Sequence, residues 1–144
     1  MATSIVRNFL AAMAFVVGAA IVGIAATALA EKQKLVIQVS DNDLAKWDLA
    51  LNNARSVQAD LGKENVEIEI IAYGPGLRML MRESEVGPRL AQALSADITL
   101  LACENTMQST KVSKADLYQG IGFVNAGVTH IMKRQREGWI YVRP

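Results

Sequence analysis

The sequence predicts one α/β domain, a mostly parallel five-stranded sheet with helices on both faces and so three α/β/α layers. Three observations lead there. Short runs rich in Val, Ile and Leu alternate with stretches whose apolar residues recur at every third or fourth position. The short runs are apolar at almost every residue, as strands covered on both faces are. Each run ends in Gly, Pro, Asn, Asp or Ser, the residues that turn a chain or cap a helix. Read in order this gives βαβαβαβαβ, which implies right-handed crossovers between parallel strands.

The first strand is KLVIQV (34–39), followed by Ser40, Asp41, Asn42 and Asp43, a cluster suited to an exit loop and a helix N-cap. Over residues 44–61, Leu44, Trp47, Leu51, Ala54, Val57 and Leu61 recur at helical spacing, and Gly62 closes the run. VEIEIIAY (66–73) is the second strand. Glu67 and Glu69 alternate with Val66, Ile68 and Ile70, which predicts one partly wet face. Its exit, Tyr73-Gly74-Pro75-Gly76, is a strong turn signal. Leu77, Leu80 and Met81 suggest a short helix, interrupted near 84–88 and resumed over 89–95. Ile98, Thr99, Leu100 and Leu101 form the third strand, with Ala102 and Cys103 at its carboxyl end and a polar loop leading to a helix after it. Ser113 and Asp116 have capping-box spacing for a short helix through Tyr118. Residues 120–124 are the fourth strand, 127–136 a helix carrying Val128, Ile131 and Met132 inward and ended by Gly138, and WIYV (139–142) the last strand.

The first thirty residues stand apart from this domain, which covers 31–144. Arg7 is the only charge before Glu31, and residues 9–29 are uninterruptedly apolar or small. Ala28-Leu29-Ala30 has the small-x-small form of a signal-peptidase site, and the sequence turns abruptly charged at Glu31, Lys32 and Lys34. These features predict a signal peptide (1–30) cleaved after Ala30, with export to the periplasm or beyond and no stable membrane association afterwards. The alternative is a membrane anchor formed by uncleaved residues 9–29, since the run matches the roughly 20 residues that span a bilayer.

Removing Arg7 with that segment takes Lys plus Arg from 15 to 14, against 14 acids, so the exported domain is neutral. A nucleic-acid surface needs a basic excess, and Lys133, Arg134 and Arg136 read as the last turn of a helix, so nucleic acid is not an expected partner. One Cys and one His cannot supply a structural zinc site, and no metal is expected. A single cysteine also precludes an internal disulfide: Cys103 is buried, reactive or paired with another chain.

Gly74-Pro75-Gly76 is no dinucleotide fingerprint, because it follows the second strand and lacks the third glycine. His130 has no carboxylate or cysteine near it in sequence and reads as a surface or interface residue, and Trp47 and Trp139 as core or subunit-contact residues. Cys103 is the candidate catalytic residue. It stands where ligands sit in open α/β sheets, at the carboxyl end of a strand, among Glu104, Asn105, Thr106, Gln108 and Ser109. A helix starting after it can aim N–H groups at the sulfur and favour an accessible thiolate, whereas Glu104 opposes ionisation if its carboxylate turns inward. Free cysteine is also among the most buried residue types, which keeps a structural role open.

LALNN (49–53), AYGPG (72–76), ACENTM (102–107), Leu117 with Gly120, AGV (126–128) and QREGW (135–139) with Tyr141 and Pro144 follow one another in this order along the chain. In these the chain resembles the DsrE/DsrF-like sulfur-relay family, and most closely its small, signal-peptide-bearing members. The resemblance implies a compact α/β/α domain that forms homo-oligomers, trimers or hexamers, and uses a strand-end cysteine, here Cys103, as a sulfur acceptor. Such a cysteine takes a sulfane sulfur as a persulfide and passes it to a partner, so a sulfur donor or acceptor protein is an expected partner. The sequence departs from the cytoplasmic members in the ENTM that follows the cysteine and in its export signal, so a role in tRNA thiolation is not implied. If Cys103 carries sulfur, Asn52, Asn53, Tyr73, Gly74 and Asn105 are the candidates for lining the substrate site. The alternative function is a non-catalytic oligomeric module of the same fold that binds a small ligand or serves as a scaffold.

Overall fold

A computed structural model describes residues 31–144; the signal peptide, its cleavage point and the possible anchor lie outside the described residues. The strands are β1 (Gln33–Val39), β2 (Val66–Ala72), β3 (Thr99–Cys103), β4 (Gly122–Val124) and β5 (Ile140–Val142), and the helices α1 (Leu44–Leu61), α2 (Gly87–Ser95), α3 (Glu104–Thr110) and α4 (Gly127–Arg136). All five strands are parallel, in the order β4-β3-β2-β1-β5. The α/β/α architecture and the parallel sheet expected from the sequence are therefore present.

Chirality explains where the helices lie. From β1 to β4 each connection steps one strand in the same direction, and right-handed crossovers place α1, α2 and α3 on one face. The return from β4 to β5 runs the opposite way across the sheet, which puts α4 on the other face. Two cores follow. Leu35, Ile37 and Val39 of β1, Ile68 and Ile70 of β2 and Leu100 of β3 pack with Trp47, Leu51 and Ala54 of α1, Leu90 and Ala93 of α2 and Met107 of α3. The alternate residues Val36, Ile71 and Leu101 pack with Ile131 of α4 and Trp139.

Local chemistry sets the element ends. Asp43 caps α1, its Oδ1 accepting from the N–H of Ala45 at 2.9 Å, and Gly62 ends the helix at φ 87°. Trp47 and Trp139 are both buried, and the Trp47 indole N–H donates to the Asp41 carbonyl at 2.7 Å. Residues Gly74–Leu80 form the expected short helix, as a 3-10 segment. It lies so close to β1 that a Cβ on Gly76 would stand 2.4 Å from the Val39 carbonyl oxygen. The Ser113–Asp116 capping box is present, but the segment it starts stops as a 3-10 turn at Asp116. Leu117 instead bridges antiparallel to Met81.

Three sequence expectations fail on the α4 side. Glu69 was to face a wet surface, yet it is 4% exposed. His130, read as a surface or interface residue because no carboxylate lies near it in sequence, is largely buried with its Nε2 2.9 Å from Glu69 Oε2. Arg134 grips the same carboxylate through Nε at 3.0 Å and Nη2 at 2.5 Å, and its guanidinium lies 4.6 Å from the Trp139 ring centre. A pairing across 65 residues leaves no local trace in the sequence. Val128 and Met132, expected to point inward, are 53% and 49% exposed. Among the described residues no helix is long and apolar enough to cross a membrane.

Candidate functional site

β3 and β4 are neighbours whose following helices leave on opposite faces: α3 sends Met107 into the larger core and α4 sends Ile131 into the smaller one. Such a divergence opens a crevice at the carboxyl edge of a sheet, where α/β proteins bind ligands. Cys103 is the last residue of β3 and stands in this crevice, paired in register with Val124. No loop separates strand from helix. α3 starts at Glu104, so Cys103 occupies its N-cap position and the polar ENT segment is the first helical turn.

The sulfur is held by backbone from both helix starts. Gly127 N–H donates to Sγ at 3.3 Å, and the thiol lies 3.9 Å from the Asn125 carbonyl oxygen, which also accepts the Asn105 N–H at 3.1 Å. Gly127 permits this approach, since a Cβ there would press on the Tyr73 ring at 3.1 Å. Burial pushes the Cys103 thiol up, but the hydroxyl and N–H of Thr106 and the N–H groups of Gly127 and Asn105 more than offset it, leaving the thiol below its ordinary range. Thr106 Oγ1 also accepts the Gly74 N–H at 2.9 Å, which ties the exit of β2 to that of β3. Glu104 does not oppose this arrangement through its carboxylate, which is held by Lys114 Nζ at 3.4 Å.

The expected accessibility is not met: Cys103 is 4% exposed. A strand-end position places a residue at the sheet edge, but here the starts of two helices close over it. Of the candidate lining residues, Tyr73, Gly74 and Asn105 are brought to the cysteine. Burial raises the Tyr73 hydroxyl, and the Tyr73 ring lies against Gly127, whose N–H meets the sulfur. Asn52 and Asn53 are not at the site. α1 runs back along the sheet from that edge, so its middle lies away from it; Asn52 accepts from Arg89 Nη2 at 2.6 Å, and Asn53 lines a separate groove with Gln33 and Ile140. Sequence reasoning missed Thr106, Asn125 and Gly127 as contacts of the sulfur. The Asn-Ala-Gly strand exit was visible, but not the β3–β4 pairing that carries it to Cys103. Among the described residues no group of three His, Cys, Asp or Glu side chains could hold a metal ion.

A protein of unknown function from Methanobacterium thermoautotrophicum, MTH1491, shares 34% identity with the chain and superposes with a TM-score of 0.75, over 78% of this chain and 100% of its own. The chain belongs to the MTH1491 family. The ychN protein from E. coli (13% identity, TM-score 0.61, 77% of this chain and 97% of its own) has a similar fold. So does BT1422 from Bacteroides thetaiotaomicron, a conserved protein of unknown function (18%, 0.60, 78% and 95%). No family model and no curated protein matches the chain.

The hydrogen bonds at Sγ lead to a reactivity test. The rate of Cys103 alkylation by iodoacetamide is expected to rise with pH about a midpoint below the roughly 8.5 of a free cysteine. Thr106→Val removes the hydroxyl and should move that midpoint up, whereas Thr106→Ser should restore it. An unchanged midpoint in Thr106→Val would show that Thr106 does not tune the thiol.

Proposed function

We propose that the protein is an exported persulfide carrier of the DsrE/DsrF-like sulfur-relay kind, with Cys103 as its sulfur acceptor. The observation behind this reading is a buried sulfur at the end of β3 that accepts the Gly127 N–H at 3.3 Å, beside the first turn of α3, in surroundings that hold the thiol below its ordinary range. Such a cradle favours a thiolate, and it favours the persulfide anion for the same reason. In the loading step the Cys103 thiolate attacks the outer sulfur of a donor persulfide, R–S–SH. The new S–S bond forms as the donor's own S–S bond breaks, R–S⁻ leaves, and the proton stays on the transferred sulfur. In the delivery step an acceptor thiolate attacks that outer sulfur and Cys103 departs as thiolate. Neither step changes the overall oxidation state, so neither needs a metal or an organic cofactor. With no second cysteine in the chain, Cys103 cannot discharge the sulfur within its own subunit, so delivery requires a partner thiol.

The mature protein incubated with polysulfide is expected to gain mass in steps of one sulfur atom, reversibly with reductant, and Cys103→Ser should gain none while remaining folded. The 4% exposure of Cys103 favours a second reading, a non-catalytic module that binds a small ligand or serves as a scaffold. A cysteine that stays unlabelled by iodoacetamide until the protein is denatured, and takes up no sulfur, would select that reading.

Assembly and export belong to the same proposal. Val128 and Met132 on α4 and Ile140 on β5 leave large apolar side chains about half exposed, which supports a homo-oligomer, trimer or hexamer. Protein recovered from a periplasmic extract is expected to begin at Glu31 and to scatter light as a trimer or a multiple of one. A full-length monomer confined to membranes would overturn both points.

A further inference from the structure

A cleft of about 520 Å³, of a size that takes a small molecule, lies beside the cysteine crevice, between the 3-10 segment Gly74–Leu80 and α3. One wall is apolar, made by Leu77, Met81 and Val112. The only charged residue lining it is Arg78. Four arginines of the domain are engaged, Arg82 by the Ala115 carbonyl, Arg89 by Asp48, Arg134 by Glu69 and Arg143 by Asp41. Arg55, Arg78 and Arg136 have no such partner among the described residues, and Arg55 and Arg136 do not line the cleft.

The opposite wall carries three hydroxyls, and their protons decide what they offer. Ser109 and Thr110 donate to the Thr106 carbonyl oxygen at 3.0 and 2.7 Å, so what they have left for a ligand is lone pairs. A phosphate, rich in acceptors and doubly charged, is poorly matched to one guanidinium and a wall of acceptors. A single carboxylate fits the guanidinium fork, an N–H beside it fits the hydroxyl oxygens, and an aliphatic body fits the apolar wall. Thr106 stands between this cleft and the thiol: it lines the cleft, lies in the first turn of the helix that Cys103 caps, and its hydroxyl takes the Gly74 N–H at 2.9 Å.

We infer that this cleft binds a small aliphatic carboxylate bearing an N–H donor, an N-acylated amino acid or the like, with its carboxylate on Arg78, and that its occupancy is felt at Cys103 through Thr106. The binding half is independent of the sulfur reading, and its test is kept so. N-acetyl-leucine is titrated into both the wild-type protein and Cys103→Ser while amide resonances are followed. Saturable shifts are expected at Arg78, Thr106, Ser109 and Thr110 in both. Affinity should fall roughly tenfold or more in Arg78→Met, which removes a charge-assisted contact and keeps the length of the side chain. The neutral N-acetyl-leucinamide should not compete.

In the wild type, saturating N-acetyl-leucine should change the rate of Cys103 alkylation, and in Arg78→Met the same concentration should not. Absence of saturable shifts, or equal affinity in Arg78→Met, overturns the site. Binding with an unaltered alkylation rate overturns the link to Cys103. A protein that binds N-acetyl-leucine but takes up no sulfur would retain the site and lose the carrier function, so the two failures are told apart.

Discussion

Gly76→Ala is expected to cost about 3 kcal/mol or more in urea unfolding, at the upper end of what one inserted methyl does to a packed site. The new Cβ would stand 2.4 Å from the Val39 carbonyl oxygen, 2.7 Å from its carbon and 2.9 Å from the Ser40 Cα. All three are backbone atoms at the end of a strand paired on both sides, with Val39 in register with Ala72. They cannot swing aside as a side chain can. Gly62 makes a useful comparison. A Cβ there also comes within 2.7 Å of another atom, but that atom is the Oε1 of the exposed Glu64, the far end of a side chain that can turn aside. Relief at Gly76 requires the Gly74–Leu80 segment to lift off β1, which draws the Gly74 N–H from Thr106 and disturbs the cradle of Cys103. The variant should therefore show both a lower unfolding midpoint and an altered pH dependence of Cys103 alkylation. Wild-type stability in Gly76→Ala would mean that the segment does not press on β1 as described.

The parts of the fold legible in sequence were those fixed by neighbours along the chain. The helical spacing of Trp47, Leu51 and Ala54, the cap at Asp43 and the stop at Gly62 are all local signals, and α1 falls where they place it. The apolar run ending at Cys103 marked β3 and the sheet edge for the same reason. What was illegible depends on which elements meet. Glu69 lies on the correct alternating face, but only the placement of α4 decides whether that face is wet. Asn52 and Asn53 were assigned to the site although α1 carries them back along the sheet. Cys103 was expected to be open because one strand end was considered, whereas it is closed over by α3 and by α4 arriving from β4. Thr106 was visible as a polar neighbour of the cysteine, but its hydrogen bond to Gly74 spans 32 residues and needs β2 beside β3.

The cluster around Glu69 provides the second large effect. Its carboxylate is buried and is satisfied by His130 and by two nitrogens of Arg134, which also reaches Glu137 Oε2 at 2.8 Å and lies over Trp139. Glu69, first, and Glu137 hold the Arg134 guanidinium far above its ordinary range, so the arginine remains charged at every pH at which the protein is folded. Breaking a buried pair from one side leaves a charge without its counter-ion, and Arg134→Met is expected to cost about 3 kcal/mol, most of it the penalty of the stranded carboxylate. Glu69→Leu combined with Arg134→Met removes both charges and fills the space with apolar groups, so the double variant should be more stable than Arg134→Met and close to wild type. The pair also pins α4 to β2, and α4 begins at the glycine whose N–H meets the Cys103 sulfur. If that anchoring matters to the site, the double variant, though stable, will have a higher alkylation midpoint than wild type, because Gly127 is no longer held in place. Urea unfolding and iodoacetamide kinetics on the wild type and the two variants separate the outcomes. A double variant as unstable as Arg134→Met would show that the cost lies in lost packing around Trp139 and not in an unpaired charge.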